Sequence, residues 1–161
     1  MLNGLARFPL TLAYAGLGLA IGAVALQQPA LRDAVPAARP DQPCTLLLAA
    51  SDRLAGGALL GVLRELQAQR GASLSLVAVG EAGPSLQQAG LAVRAFPLLP
   101  RPDFLALARE LPNAVAVIPL DDSPFSACKS AVKWFDFAEA GVPTLASAVP
   151  PYSDVIEHGR T

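Results

Sequence analysis

From Cys44 onward, short apolar runs alternate with amphipathic stretches of the chain. Each apolar run is bounded by turn residues, a pattern typical of buried strands, and the runs cover 44–50, 73–80, 91–96, 113–120 and 142–149. Helices are predicted between them, over 54–70, after the turn EAGPS, over 102–111, and from the fourth strand to Ala140. This alternation predicts an α/β fold, a Rossmann-like, doubly wound parallel sheet with helices on both faces.

Glycines and prolines mark the ends of the predicted helices. Gly71 ends the first helix, and Gly141 is placed for a left-handed cap of the last one. Pro102 suits the first turn of its helix, because a missing amide hydrogen costs nothing there. Pro143 prevents the last helix from continuing.

Polar residues follow the predicted strands at their carboxyl ends, the edge at which ligands bind in sheets of this kind. These residues are Ser51-Asp52-Arg53, Gly80-Glu81-Ala82-Gly83, Asp121-Asp122-Ser123 and Ser147. Gly80 and Gly83 would let the backbone come near a nucleotide, although ordinary turn glycines look the same in a sequence. A ligand site is therefore expected at this edge.

The segment DDSPFSACKSAVKWFDFAEAGVP, residues 121–143, contains both lysines of the chain, Lys129 and Lys133. On a continuous helix these lysines share one stripe with Asp136 and Ala140, while residues such as Val132 and Phe135 can face a core. Two cations and a carboxylate at a helix N-terminus suit a ligand with phosphates at one end and hydroxyls beyond them. The alternative is a solvated amphipathic helix with a Lys133–Asp136 surface pair.

Two further segments precede the α/β region. Residues 27–43 read as a Pro/Ala-rich linker, and residues 1–26 form an apolar N-terminal segment with an uncharged run over 8–26. Nineteen helical residues would extend roughly 28 Å, close to the thickness of a bilayer core. The run fits a membrane helix or anchor, a buried part of a larger soluble protein, or a signal peptide cleaved after Ala25. The expected division is 1–26, 27–43 and 44–161.

Composition narrows the classes of function. The chain has 161 residues, of which 53% are hydrophobic and 16% charged, so it is too apolar for a disordered protein. The net charge of −1 and the scattered arginines indicate no nucleic-acid partner. Two unclustered cysteines and a single histidine make a metal site unexpected, and favour a reduced, cytosolic compartment.

The stretch PLDDSPFSACKSAVKWFDFAEAGVPTLAS, followed by PPYSDVIEHG, resembles the C-terminal donor-binding domain of GT-B glycosyltransferases. The similarity is to the retaining, group 1 (family 4-like) branch, over about forty residues, with a looser agreement from Cys44 on. That branch has a D-x-P-F-N-x-x-K-S-x-x-K pattern, an aromatic-Leu-Glu-Tyr-Ala helix, then Gly-x-Pro and a strand ending in Ala-Ser. The resemblance implies the C-terminal half of a GT-B fold, incomplete at its C-terminal end.

The resemblance also implies roles for the residues of the lysine segment. Lys129, Ser130 and Lys133 would lie near the donor diphosphate, and Asp136 would contact the ribose, where the family has a glutamate. Asp121 or Asp122 would stand near the sugar.

Outside that segment the implied roles are fewer. Arg53 would correspond to a phosphate-binding arginine, or is a surface arginine, since Gly56-Gly57 replaces the lysine that usually follows. Gly80 would lie near the nucleotide. Tyr152 and His158 would shape loops and turns.

The function implied is transfer of a hexose from a nucleoside diphosphate sugar to a glycan or lipid-linked acceptor, in cell-surface polysaccharide synthesis. No cofactor or metal is expected, and the chain is expected to need an N-terminal acceptor domain or a partner. Its expected location is the cytoplasm, at the inner face of the cell membrane. The alternative is a membrane-tethered module that binds a nucleotide, or only packs against another protein, without turnover. A phospho-receiver domain is excluded, because its acidic cluster would follow the first strand rather than the fourth.

Overall fold

The computed structural model describes residues 41–50 and 58–157. Five strands and five α-helices are formed in these ranges. The strands are β1 Cys44–Ala49, β2 Leu74–Val79, β3 Val93–Phe96, β4 Ala114–Ile118 and β5 Thr144–Ala146. The helices are α1 Ala58–Arg70, α2 Ala82–Gln88, α3 Arg101–Glu110, α4 Pro124–Ala127 and α5 Val132–Glu139, with short 3-10 turns at Gly71–Ser73 and Tyr152–Asp154.

The five strands form one sheet in the order β3-β2-β1-β4-β5, and every neighbouring pair is parallel. The predicted Rossmann-like parallel sheet is thereby confirmed. From β1 the chain winds outward in one direction to β3, and β4 and β5 lie on the other side. The strand order therefore reverses between β1 and β4, the point at which ligands bind in such folds.

One face of the sheet is covered by α3 and α5. Leu47 of β1 is in register with Val77 and Ala116 on its two neighbours, and all three are fully buried. Phe104 of α3 and Phe137 of α5 pack on this row, with their ring centroids 5.6 Å apart in an edge-to-face arrangement. This contact fixes α5, the helix that carries Lys133, against the sheet.

The other face is covered by α1 and α2. Because successive residues of a strand point to opposite faces, Leu46, Leu76 and Val115 form a second buried row one position along. Leu63 of α1 and Leu86 of α2 pack over this row. Burial on both faces explains why these strands read as continuous apolar runs rather than as alternating ones.

The prediction of one continuous lysine helix was wrong, because the segment forms two helices, α4 and α5, separated by residues 128–131. Ser126, Ala131 and Phe137 are all buried. On one straight helix Ala131 would point about 140° away from Ser126 and about 120° away from Phe137. The break allows all three residues to face the interior.

The break changes which residues face the core. Val132 and Phe135, which the helical stripe predicted for the core, are exposed, and Phe135 leaves 54% of its surface accessible. Phe137 and Ala140 are buried in their place. Lys129 consequently lies in the loop between the helices rather than in the first turn of one.

Several predicted ends are confirmed in detail. Gly71 and Gly141 have φ values of 50° and 72°, the left-handed conformation that glycine adopts without steric cost. Pro102 lies in the first turn of α3. The fifth strand is shorter than predicted, since the chain turns after Ser147, where the Val149 amide donates to the Ser147 carbonyl oxygen at 2.8 Å.

The apolar segment 1–26 and most of the linker 27–43 lie outside the described residues. Within the described ranges, no helix combines the length and apolar character that a membrane span requires.

Candidate functional site

Lys133 lies at the point where the strand order reverses. Its side chain leaves the first turn of α5 and its Nζ donates a hydrogen bond to the carbonyl oxygen of Ala49, the last residue of β1. The side chain is partly buried, and burial lowers the pKa of its ammonium, with the positive charge of Lys129 as a second cause. The structure thus places a cation at the carboxyl edge, between β1 and β4.

Lys129 belongs to the same neighbourhood. Its Nζ lies 5.1 Å from the centroid of the Phe125 ring, within cation–π distance. Its charge contributes to lowering the pKa of Lys133 and also that of Asp121. The charge of Lys129 therefore acts on Lys133, although Lys129 lies in a loop rather than on one helix with Lys133.

Asp121 follows β4 and is bound by two serines of its own loop. One carboxylate oxygen accepts hydrogen bonds from Ser126 Oγ and from Ser123 Oγ, the second at 2.7 Å. These bonds lower the pKa of Asp121, Ser126 contributing most. Ser123 Oγ in turn accepts from the Ser126 amide at 3.2 Å and caps α4. Asp121 therefore anchors the loop through these bonds, and both Asp121 and Asp122 are exposed to solvent.

Asp136 lies on α5 and is paired with α3. Its Oδ1 accepts from Arg101 Nε at 2.7 Å, and only 18% of its side chain is exposed. The Arg101 guanidinium also donates to Glu139, and Glu139 Oε1 lies 3.9 Å from Arg109 Nη2. The hydrogen bonds to Glu139 and to Asp136 raise the pKa of Arg101.

Arg101 was missed by sequence reasoning. It precedes Asp136 by 35 residues, and its spacing carries no signal of the pairing. Only the packing of α3 against α5 brings the two side chains together.

Ser147 ties the end of β5 to the loop after β4. Its Oγ accepts a hydrogen bond from the Leu120 amide at 2.9 Å, and its own amide donates to the Ile118 carbonyl oxygen at 3.1 Å. These bonds hold the chain that leads into Asp121. Sequence reasoning placed Ser147 at this edge without assigning it a partner.

The backbone of Gly80 lies close to the backbone of Ala50. Its φ is 100°, and a Cβ at this position would lie 3.0 Å from the Ala50 carbonyl oxygen. Gly83 lies in α2, where a Cβ would come within 2.7 Å of Ala95 Cβ on β3. The observed geometry accounts for both glycines through packing at the carboxyl edge.

One of the remaining predicted positions, Ser130, follows Lys129 directly and is exposed in the loop between α4 and α5. Tyr152 is buried, and burial raises the pKa of its hydroxyl. Arg53 and His158 lie outside the described residues, as do the other residues of the range 51–57.

An open groove of about 670 Å³ lies at the opposite edge of the sheet, beside the amino ends of β2 and β3. Its polar lining includes Gln67, whose amide nitrogen donates to the Ala92 carbonyl oxygen at 2.7 Å. The groove is lined by neither lysine. It is a less suitable candidate for chemistry than the carboxyl edge.

The arrangement at the carboxyl edge can bind an anion. Lys133 uses one of its three donors on Ala49, which leaves two for a ligand, and Lys129 adds a second charge. Across the described ranges, no group of three or more His, Cys, Asp or Glu side chains could hold a metal ion. Comparison of the chain with protein-family models, curated proteins and solved structures gave no match.

Proposed function

We propose that the chain is the donor-binding part of a glycosyltransferase that moves a hexose from a nucleoside diphosphate sugar to a glycan or lipid-linked acceptor. The observation that carries the proposal is Lys133, whose ammonium is held at the end of β1 where the strand order reverses. Pyrophosphate is the part of such a donor that this position favours.

The second support for the proposal is that the surroundings of Lys133 disfavour its positive charge. Burial and the nearby charge of Lys129 both disfavour the protonated form of Lys133. An anion bound between the two ammonium groups removes the repulsion and stabilises both charges. Lysines with lowered pKa at a ligand edge are therefore candidates for binding phosphate.

The lysines would also assist the chemistry. In transfer, the bond between the sugar C1 and the diphosphate oxygen breaks, and its electron pair stays on the diphosphate. The acceptor oxygen bonds to C1 and releases its proton to solvent or to a phosphate oxygen. Lys133 and Lys129 would stabilise the charge that develops on the leaving diphosphate.

The resemblance supplies the rest of the proposal. Ser130 would assist at the diphosphate, Asp136 would contact the ribose, and Asp121 or Asp122 would lie near the sugar. Because Asp136 accepts a hydrogen bond from Arg101, Arg101 would orient the Asp136 carboxylate for this contact with the ribose. The acceptor would be bound by a further domain or a partner, at the cytoplasmic face of the membrane.

Calorimetric titration of the folded chain with UDP, GDP, ADP and dTDP tests the proposal. We expect at least one of them to bind, and Lys133→Met to weaken that binding by about 10- to 100-fold, the loss expected for a hydrogen bond to a charged group. Methionine is one atom shorter than lysine and removes both the charge and the hydrogen bond to the Ala49 carbonyl oxygen.

Arg94→Ala is the matched control. Arg94 lies on the edge strand β3, two strands from β1, and its removal lowers the net charge by the same amount. Binding should be unchanged in this variant. If no diphosphate binds, or if Lys133→Met and Arg94→Ala have equal effects, the proposal is wrong. Sugar transfer to a supplied acceptor then distinguishes an enzyme from a protein that only binds nucleotide.

A further inference from the structure

The β5 side of the sheet is open on the face that carries α1 and α2. Leu145 of β5 is in register with Val117 of β4, and Val117 packs against the apolar cluster of that face. Leu145 nevertheless leaves 49% of its surface exposed, and Val117 is only partly buried. Parallel sheets are normally covered on both faces, so an exposed leucine at this position is unusual.

The topology explains why the described helices leave this part of the face open. The helices α1 and α2 connect β1, β2 and β3, and they pack on one face of the sheet. The helices α3 and α5 precede β4 and β5, and they pack on the other face. Right-handed connections produce this division, because the strand order reverses between β1 and β4.

An exposed apolar side chain of α1 lies on the flank of that helix that is turned toward β4 and β5. Arg64 and Gln67 donate to carbonyl oxygens of the loop between α2 and β3, so their side of α1 is turned toward β3. On a helix Val62 lies about 160° from Arg64 and about 140° from Gln67, on the opposite flank. Val62 leaves 46% of its surface exposed. Val62, Val117 and Leu145 therefore border one open apolar surface, the β5 surface.

The chain enters the sheet close to this surface. Gln42 lies just before β1, and its carbonyl oxygen accepts a hydrogen bond from Asn113 Nδ2 at 3.0 Å. Asn113 immediately precedes β4, so the residues before β1 arrive beside the amino end of β4. Residues 27–41 can extend over roughly 50 Å, several times the ~10 Å between β1 and β5 in a sheet. The apolar run 8–26 is therefore within reach of the β5 surface.

The composition of this run suits an apolar surface. Residues 8–26 include no charged residue and are rich in alanine and glycine, whose small side chains let a segment lie close to valine and leucine. A tether of this length holds the run at an effective concentration on the order of millimolar, which favours it over a second copy or a separate partner. We propose that residues 8–26 bind the β5 surface and cover its three side chains. This contact is independent of the proposed nucleotide site.

Thiol labelling of the full chain tests this contact. In a background with Cys44→Ala and Cys128→Ser, Leu145→Cys is labelled with a chromogenic disulfide in buffer and in concentrated urea. We expect labelling in buffer to be at least about 10-fold slower than in urea, since a covered thiol reacts only after local opening. Leu98→Cys is the matched control, because Leu98 is 84% exposed in the loop after β3. Its two rates should agree within about 3-fold.

A second set of variants identifies the segment that covers the surface. Leu17→Asp together with Leu19→Asp places two charges in the apolar run, and this change should bring the two rates of Leu145→Cys within about 3-fold of each other. The rates of Leu98→Cys should stay the same. If circular dichroism shows that Leu145→Cys does not fold, Val62→Cys replaces it with the same expectation.

Four results would overturn the proposal. Rapid labelling of Leu145→Cys in the buffered full chain would show that the surface is open. Slow labelling that the two aspartates leave unchanged would assign the cover to another part of the chain, and slow labelling that is lost on dilution would assign it to a second copy. Rapid labelling while the chain co-sediments with phosphatidylcholine vesicles would place residues 8–26 in the membrane. A mature protein whose mass lacks residues 1–25 would have no such segment to bind.

Discussion

Replacing Gly83 by alanine distinguishes two explanations for this glycine, close packing inside the protein and close approach of a ligand. Gly83 lies in the first turn of α2, where alanine would ordinarily favour the helix by about 1 kcal/mol over glycine. Its added Cβ would, however, lie 2.7 Å from Ala95 Cβ and 3.3 Å from Ala95 Cα on β3. The two effects have opposite signs, so their sizes decide the outcome.

The steric effect is the larger of the two. Carbon atoms in protein interiors pack best about 3.5–4.0 Å apart, so the new methyl would overlap Ala95 by roughly 1 Å. Neither methyl can rotate away, and α2 would have to move off β3. Overpacking of this kind costs about 1–3 kcal/mol. We therefore expect Gly83→Ala to lower the free energy of unfolding, by up to about 2 kcal/mol.

Gly61→Ala is the matched control for this substitution. Gly61 lies inside α1, and a Cβ there would meet nothing within 4 Å. This variant should be more stable than wild type by about 0.4–1 kcal/mol, through helix preference and a restricted unfolded chain. Urea unfolding followed by circular dichroism measures both changes. A Gly83→Ala protein as stable as Gly61→Ala would refute the packing argument and leave ligand approach as the reason for this glycine.

Three further predictions concern the core and the charged groups. Phe137→Ala should lower the free energy of unfolding by about 3–5 kcal/mol in urea titrations, because its ring is fully buried. The pKa of Lys133 is lowered by burial and by the charge of Lys129. The affinity for pyrophosphate, titrated from about pH 7 to about pH 10, should therefore fall at a lower pH than it would with a lysine of ordinary pKa. Lys129→Ala should move this fall to higher pH. Hydrogen bonds from the Ser126 and Ser123 hydroxyls lower the pKa of Asp121, so they stabilise the fold at pH values above the pKa of this carboxyl group in the unfolded chain. Asp121→Asn should therefore lower the free energy of unfolding at such pH values, and this loss should shrink as the pH falls through the lowered pKa. Acid unfolding curves of both proteins measure it.

The sheet could be predicted because its strands are buried on both faces. Rows such as Leu46 with Leu76 and Leu47 with Val77 place buried apolar residues at successive strand positions, which leaves largely apolar runs in the sequence. The helix ends at Gly71 and Gly141 were equally predictable, because a positive φ strongly favours glycine. Local chemistry therefore accounts for the strands, their order along the chain and most boundaries.

The break in the lysine segment could not be predicted by periodicity alone. A helical stripe groups Lys129 with Lys133, but burial of Ser126, Ala131 and Phe137 overrides it. Signals for the break were present in Ser123 and Pro124, which together start a capped turn. Such signals mark where a helix begins and do not say that it ends after four residues.

The pairing of Arg101 with Asp136 lies beyond the sequence for another reason. It depends on the distance between α3 and α5, which the contact of Phe104 with Phe137 helps to set. A one-dimensional pattern contains neither that distance nor the direction of the two side chains. A pairing between two helices whose residues are 35 positions apart follows from the packing of the core, so it can be identified only when that packing is known.

The position of Lys133 links the fold to the proposed site more closely than its charge alone does. Its bond to Ala49 joins the helix after β4 to the end of β1, across the point where the strand order reverses. A neutral side chain of similar length could fill the same space without the repulsion from Lys129 that disfavours the ammonium. Filling of space therefore does not explain why a lysine stands here. The proposed binding of an anion would, because the ligand would attract both ammonium groups.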